Sequence, residues 1–397
     1  MPERRVCGSC DSTDLEPFLD LGYTPLANAF PSSPSEKETK YRLQVAICMN
    51  CHLVQLLEVV PDDILFANNT FYSGTGDPSY WQGVARNLMK RFGDDGPQLT
   101  VEIACNDGTL LKHFHDAGWP SVGVDPAEGP TQKAREYGLD VLTMPFGSDA
   151  AEGIRAEYGQ AGLIIGNNVL AHVSDLNDFL QGVKRLLKPD GVAVFEFQYL
   201  GDLVTGNMFD HVYHEHRFFY SITALQTAVM KNKMLIDRWR PTPQQGGSMQ
   251  VEITHGGVYR GTPDPWLTRL NTMRGVQPRV DYIKSRLQSL IATEMMMLPG
   301  FLAGYAAPAK STTLLNFCGI DHDTLDYIVD TTPSKIGKYT PGTHIPIISP
   351  EQEDKVGYPD TYLLLAWNYL SSILRRADLQ GPSSTRWVVP VPIPYVI

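Results

Sequence analysis

Three groups of side chains in this sequence have the types and spacing to do chemistry. The first is a pair of CxxC units, Cys7/Cys10 and Cys48/Cys51. Four thiolates can surround one tetrahedral Zn²⁺, each CxxC turn supplying two ligands from one tight loop. Four protein ligands leave no open position, so such a site is structural. The spacer of 37 residues between the pairs exceeds the usual zinc-ribbon separation. The alternatives are four unligated thiols, or a redox CxxC, which fits less well because neither pair opens a helix after a buried strand.

The second group is Phe209-Asp210-His211-Val212-Tyr213-His214-Glu215-His216, with three histidines, a tyrosine and two acids in eight residues. One reading is a metal site: His211 and His214, three apart, on a helix with Asp210 or Glu215. A second is acid–base work. Removing a C–H proton needs a base near neutral pKa, and a histidine oriented by a carboxylate suits that task. A tyrosine or histidine hydrogen bond suits the oxyanion that follows. A polar surface turn is the third. His172 and Tyr72 can join this group if their segments fold toward it.

The third group is the strand and turn Val101-Glu102-Ile103-Ala104-Cys105-Asn106-Asp107-Gly108. A dinucleotide fingerprint would read GxGxxG and bring a pyrophosphate to a helix N-terminus. Here only Gly108 is kept, with Ala104 and Asn106 in place of glycines. Glu102 and Asp107 suit a cationic ligand better than a pyrophosphate, and S-adenosylmethionine carries a sulfonium and an ammonium. Asp125, about 20 residues on, stands where a carboxylate accepts ribose hydroxyls. Asn167 and Asn168 end another strand-like run nearby.

The elements around these groups alternate. LTVEIACND, PSVGVDPAEG, LIIGNNVLAHV and GVAVFEFQYL read as strands. GTLLKHFHDAG, TQKAREYG and DLNDFLQGVKRLLKPDG read as helices between them. That rhythm predicts a doubly wound, mainly parallel α/β sheet whose ligands sit beyond the carboxyl ends of the strands. Residues 61–95 read as largely helical, ending before Gly96-Pro97. The segment from ~200 to ~255 departs from the rhythm. After a helix over Arg279–Met297 it restarts with GFLAGYAAPAKSTTLLNF, LDYIVDTT, TYLLLAWNYL and RWVVPVP, which predicts a second α/β domain.

Size and charge narrow the field. A chain of 397 residues exceeds one hydrophobic core. A net charge of −11, and no Lys/Arg cluster in the cysteine module, argue against a nucleic-acid partner. No run reaches the ~18 apolar residues of a membrane span. MPERRVCGSC has no apolar core of a signal peptide. The expectation is a cytoplasmic protein without a membrane partner, of unspecified oligomeric state.

Together CGSC…CMNC, EIACNDGTLL, DHVYHEHRFFYS, GYAAPAKSTTLLNFCGI, VDTTPSKIGKYTPGTHIPI and LLLAWNYL, in that order, resemble the S-adenosylmethionine-dependent sugar C-methyltransferases of deoxysugar biosynthesis. The resemblance covers nearly the whole chain. It implies a Rossmann-like class I methyltransferase sheet with a small N-terminal zinc-binding module and a second C-terminal α/β domain, divided at 1–65, 66–275 and 276–397. It implies zinc on Cys7, Cys10, Cys48 and Cys51, and the cofactor among Glu102, Ala104, Asn106, Gly108, Asp125, Asn167 and Asn168. Ala104 stands where the family usually has glycine. The resemblance further implies a nucleotide-linked 4-keto-deoxysugar substrate, probed first as the dTDP form, methylated at C3. His216 is then the expected base, Glu215 orients it, and Tyr213 and His172, with Tyr72 nearby, hold the oxygen or relay protons. Tyr220 and the turn Gln244–Ser248, with Gln245, border the sugar. Lys310, on the helix opened by AAPAKS, is placed to hold a phosphate, unless that turn is purely structural. Two other classes fit parts of the sequence: a zinc-ribbon RNA methyltransferase, and a non-catalytic S-adenosylmethionine-binding scaffold, which would need neither base nor oxyanion donor.

Overall fold

A computed structural model describes residues 4–65, 78–93, 96–256, 264–298, 300–375 and 385–397. Its strands form three sheets. The central sheet has the spatial order Leu235–Thr242, Ser248–Thr254, Leu187–Gln198, Ala161–Asn167, Thr100–Ile103, Ser121–Asp125, Asp140–Thr143. The last five are mutually parallel, and Ser248–Thr254 runs antiparallel to both its neighbours. Thr100–Ile103 is buried throughout, as a strand covered by helices on both faces must be. The helix Leu176–Leu186 shows how the sequence builds those covers: Asp175 caps it by accepting from the N–H groups of Asn177 and Asp178. Its buried face carries Leu176, Phe179, Leu180, Val183 and Leu186, the spacing of one helix side.

The C-terminal sheet repeats the plan. Ile347–Ile348, Tyr327–Val329, Leu302–Tyr305, Thr361–Leu364 and Arg386–Val389 are parallel, with Tyr395–Val396 antiparallel at the edge. In both sheets the first parallel strand lies in the middle. The chain builds outward on one side, then crosses to the other, which creates a switch point at the carboxyl ends.

The turns at the two switch points share a plan, with the aspartate bond set one residue later in the first than in the second. After Thr100–Ile103, Ala104 is left-handed (φ 58°) and its N–H meets the Val124 carbonyl at 2.7 Å. After Leu302–Tyr305, Ala306 is left-handed (φ 64°) and its N–H meets the Val329 carbonyl at 2.8 Å. Asp125 accepts from the N–H groups of Asn106 and Ala127 at 3.0 and 2.8 Å. Asp330 accepts from those of Ala307 and Thr332, both at 2.7 Å.

The N-terminal sheet contains Leu15–Thr24, Tyr41–Cys48 and Val54–Leu56, all antiparallel, and its fourth strand comes from far along the chain. Phe218–Phe219, immediately after the histidine cluster, pairs with Val54–Leu56.

Several sequence readings meet differences here. The run LIIGNNVLAHV is a strand only as far as Asn167, because Asn168 turns left-handed at φ 55°, a conformation asparagine tolerates. In the segment 61–95, helices occupy Asp62–Leu65 and Pro78–Phe92. The strand Asp140–Thr143 and the helix Ser148–Tyr158 were not anticipated. No helix among the described residues is long and apolar enough to cross a membrane.

Candidate active site

The two CxxC turns are conformational twins. Asp11 and His52, each just after a second cysteine, are left-handed (φ 62° and 63°). Their N–H groups return to the carbonyls of Cys7 and Cys48 at 3.1 and 2.9 Å. The result brings all four sulfurs within 4.8 Å of one another. Cys7–Cys51 and Cys10–Cys48 are 3.5 and 3.6 Å apart, close to the roughly 3.8 Å tetrahedral edge set by zinc–sulfur bonds of about 2.3 Å. The N–H of Ser9 and the amide of Asn50 point at Cys7 and Cys10 sulfur, both at 3.4 Å, the outer-shell contacts a thiolate site uses. The donor set fits zinc.

At the carboxyl ends of the central sheet, left-handed residues at Ala104, Asn106 and Gly108 fold the turn back on itself. Gly108 is required: a side chain there would meet Leu139 and Ala134 in a conformation that already disfavours one. Glu102 is buried, and its Oε2 has no hydrogen-bond partner among the described residues. Burial, then the nearby Asp107 and Asp125 charges, push its carboxyl well above the usual range. Asn167 Nδ2 is likewise unpartnered. Three clustered acids and an unfilled amide donor make a site that asks for a cation carrying hydrogen-bonding groups, which fits S-adenosylmethionine. Asn168 lies alongside, its N–H on the Glu196 carbonyl at 2.7 Å.

Glu196 itself was missed. It is buried at the carboxyl end of Leu187–Gln198, paired in register with Asn167, and accepts the Tyr80 hydroxyl at 3.0 Å. Its signal was the one that marked Glu102, an acid inside an apolar strand.

The segment Phe209–His216 is a single 3₁₀ turn, Phe209–His211, followed by irregular chain. That overturns the helical metal reading. His214 turns toward Tyr41 of the N-terminal sheet (rings 5.8 Å apart), and the cysteine group is the one metal-competent cluster among the described residues. His216 is buried. Its Nδ1 lies 2.8 Å from the His211 carbonyl, so it carries the proton and donates, and Nε2 accepts the Tyr213 hydroxyl at 2.6 Å. The Tyr213 and His216 rings pack at 3.9 Å, and His172 meets His216 edge-on at 4.9 Å. Burial, then the neighbouring His172, holds His216 well below the usual histidine range. Burial lowers His172 to about 4, and raises Tyr213, with Glu215 and Asp210 adding to it.

Glu215 does not orient His216. His214 and Glu215 form a turn closed by the His216 N–H on the Tyr213 carbonyl at 2.9 Å, and the Glu215 carboxylate meets Asn28 instead. The His211 carbonyl takes the orienting role. Tyr220 is also corrected: it lies in the core against Phe197, its hydroxyl on the Leu170 carbonyl at 2.9 Å. Tyr72 lies outside the described residues.

Lys310 and Gln245 are brought to one junction. Lys310 is buried, bonded to Asn368 Oδ1 at 2.6 Å, 3.8 Å from Asp210, and 3.9 Å from the Trp367 ring centre. Burial lowers its ammonium to about 8. Gln245 lies against Tyr369, and a side chain on neighbouring Gly246 would touch Trp367. Asp210 Oδ1, His211 Nε2 and Asn368 Nδ2 have no hydrogen-bond partner among the described residues.

Comparison with known proteins decides the family. The chain is 32% identical over 412 residues to the C-methyltransferase NovU of Streptomyces niveus, covering 100% of this chain and 96% of that one. The chain belongs to the C-methyltransferase family. Its residues 7–66 match a zinc binding domain, 80–232 a methyltransferase domain, and 263–392 the C-methyltransferase C-terminal domain. A ubiquinone biosynthesis O-methyltransferase of Roseobacter denitrificans is 32% identical over 95 residues, 24% of this chain and 38% of that one. Among solved structures, magnesium protoporphyrin IX methyltransferase of Synechocystis PCC 6803 with bound S-adenosylmethionine is 13% identical over 50% of this chain and 99% of that one (TM-score 0.37). As a C-methyltransferase, this enzyme draws its methyl group from S-adenosylmethionine, and its cysteine module is a zinc module.

Proposed function

We propose that this C-methyltransferase methylates C3 of a nucleotide-linked 4-keto-deoxysugar, most simply a thymidine diphosphate sugar, through an enolate. The observation that carries the reading is the Tyr213–His216 pair, a neutral imidazole whose tautomer leaves Nε2 as acceptor for a phenol at 2.6 Å. A ketone at C4 acidifies the C3–H. In this reading the proton leaves C3 and ends on His216 Nε2, directly or as Tyr213 passes on its own proton. The C–H electron pair moves to C3=C4 and the ketone oxygen becomes an oxyanion. Tyr213 and His172 hold that oxygen. When bound, S-adenosylmethionine would supply an electrophilic methyl group for C3, its sulfonium sulfur leaving as a neutral thioether.

Glu102, Ala104, Asn106, Gly108, Asp125, Asn167 and Asn168 hold the cofactor in this proposal. Asp125 would meet the ribose hydroxyls, and the acid cluster the cationic end. Lys310 and Gln245 receive the nucleotide sugar, supported by the unpartnered polar atoms of Asp210, His211 and Asn368 around them. The division of labour follows 1–65, 66–275 and 276–397. Methyl-¹³C S-adenosylmethionine with thymidine-diphospho-4-keto-deoxysugars tests the reading by NMR of the product. A labelled methyl on C3 supports it; a label on oxygen or nitrogen, or no transfer while the cofactor binds, overturns it.

A further inference from the structure

Two side chains of the C-terminal domain, Thr313 on the helix Ala309–Cys318 and Trp367 in a 3₁₀ turn, hydrogen-bond the histidine segment on either side of the carbonyl that matters. Trp367 Nε1 donates to Asp210 Oδ2 at 2.6 Å. Thr313 Oγ1 donates to the Val212 carbonyl at 2.7 Å. Between Asp210 and Val212 lies His211, whose carbonyl accepts the His216 Nδ1 proton. All of these side chains are buried, so no water replaces a lost partner cheaply. Lys310 braces the same corner, lying between Asp210 and the indole of Trp367.

We propose that Trp367 and Thr313 are positioning residues that fix the tautomer of His216, so that the C-terminal domain sets the acid–base state of the reaction centre as well as meeting substrate. The inference deepens the reading above and rests on His216 as base. An imidazole with its proton on Nε2 would present a donor to Tyr213 and could accept nothing there. The neutral ring has two tautomers, and which nitrogen carries the proton is decided by the partner of the other. The two side-chain grips hold the peptide between residues 211 and 212 so that its carbonyl faces Nδ1. Removing them frees that peptide to rotate, and both tautomers become populated.

The test uses the full-length zinc-loaded protein with ¹⁵N-labelled histidine. Trp367→Phe keeps an aromatic ring beside Lys310 and His211 but removes the indole donor. Thr313→Val keeps the shape and removes the hydroxyl, and Thr313→Ser restores it. In the wild type, His216 should show the Nδ1–H pattern of ¹⁵N shifts, assigned by its loss in His216→Gln. In the Trp367→Phe/Thr313→Val protein we expect a mixed-tautomer pattern and a roughly 10- to 100-fold fall in kcat, the scale of a small misplacement remote from the chemistry. KM should stay within about threefold, and Thr313→Ser should match the wild type. If the double variant does not fold, Thr313→Val alone is read in the same way. An unchanged His216 pattern in a folded variant overturns the proposal, whatever the rate. So does a Thr313→Ser protein as impaired as Thr313→Val. Failure of the carbon-methylation reading is separate: it shows in the wild-type product, while the histidine spectra report tautomer without any turnover.

Discussion

Asn28 of the zinc module donates its side-chain amide to both carboxylate oxygens of Glu215, at 2.9 Å each. The two residues lie 187 positions apart in sequence. One stands in the loop between the first two strands of the cysteine module, the other inside the histidine segment. Burial pushes the Glu215 carboxyl up to about 7, and Asn28 pulls the other way.

That raised value fixes a sign. The folded protein holds the Glu215 proton more tightly than the unfolded chain, so folding stability falls as pH rises from about 4.5 to about 7. Glu215→Gln, which never ionises, should gain stability by about 1–3 kcal/mol at pH 8 and nearly nothing at pH 4.5. Turnover should fall. Thermal unfolding at the two pH values checks this, and an equal shift at both would show that burial of charge is not the cause.

Tyr213→Phe and His216→Gln should each lower kcat by about 10²–10⁴, the range for loss of a general acid–base group. Both should leave S-adenosylmethionine affinity within a few-fold, because neither touches the Ala104–Gly108 turn. Single-turnover rates and calorimetry separate the two quantities. Full activity in His216→Gln would remove the base from the mechanism.

Asp125 closes the Ala104–Gly108 turn by accepting two backbone N–H groups. Asp125→Ala leaves both without that acceptor and removes the proposed ribose contact. A weakening of cofactor binding by about 10- to 100-fold is expected, roughly 1.4–2.7 kcal/mol, read by titration calorimetry. Unchanged affinity would place the ribose elsewhere.

Zinc removal should reach the chemistry. The cysteine module supplies Asn28 to Glu215 and Tyr41 to His214, and its sheet takes up Phe218–Phe219 next to His216. Cys48→Ser is expected to lose metal and most turnover together, with cofactor affinity reduced far less. Metal content by atomic spectroscopy, measured beside activity, checks this. Full turnover in a metal-free protein would reduce the module to an appendage.

Much of this was legible before the structure. The four cysteines announced themselves by residue type and CxxC spacing, and the strand Thr100–Ile103 by Glu102, an acid within an apolar run. Local signals of that kind survive without knowledge of the fold. What could not be read were contacts made across sheets. Asn28 sits in an unremarkable stretch, LANAF, and nothing there announces a partner at Glu215. The orienting group on His216 is a backbone carbonyl, which every residue owns, so side-chain patterns pointed instead to the neighbouring acid. Tyr220 illustrates the converse: aromatic and close to the cluster in sequence, it is spent on the core because the chain enters the N-terminal sheet at Phe218.

That short strand also orders the events of folding. Val54–Leu56 cannot gain its outer partner until Phe218 and Phe219 have been synthesised, by which time the first five parallel strands of the central sheet already exist. The zinc turns can close early, since all four cysteines precede residue 52, but their sheet keeps an open edge while the ribosome works through the methyltransferase core. The metal module is thus synthesised first, but its sheet can be completed only once residue 219 exists, and the strand that completes it lies just after the histidine loop. A nascent chain halted before residue 218 would hold zinc yet expose an unpaired strand, a natural substrate for chaperones.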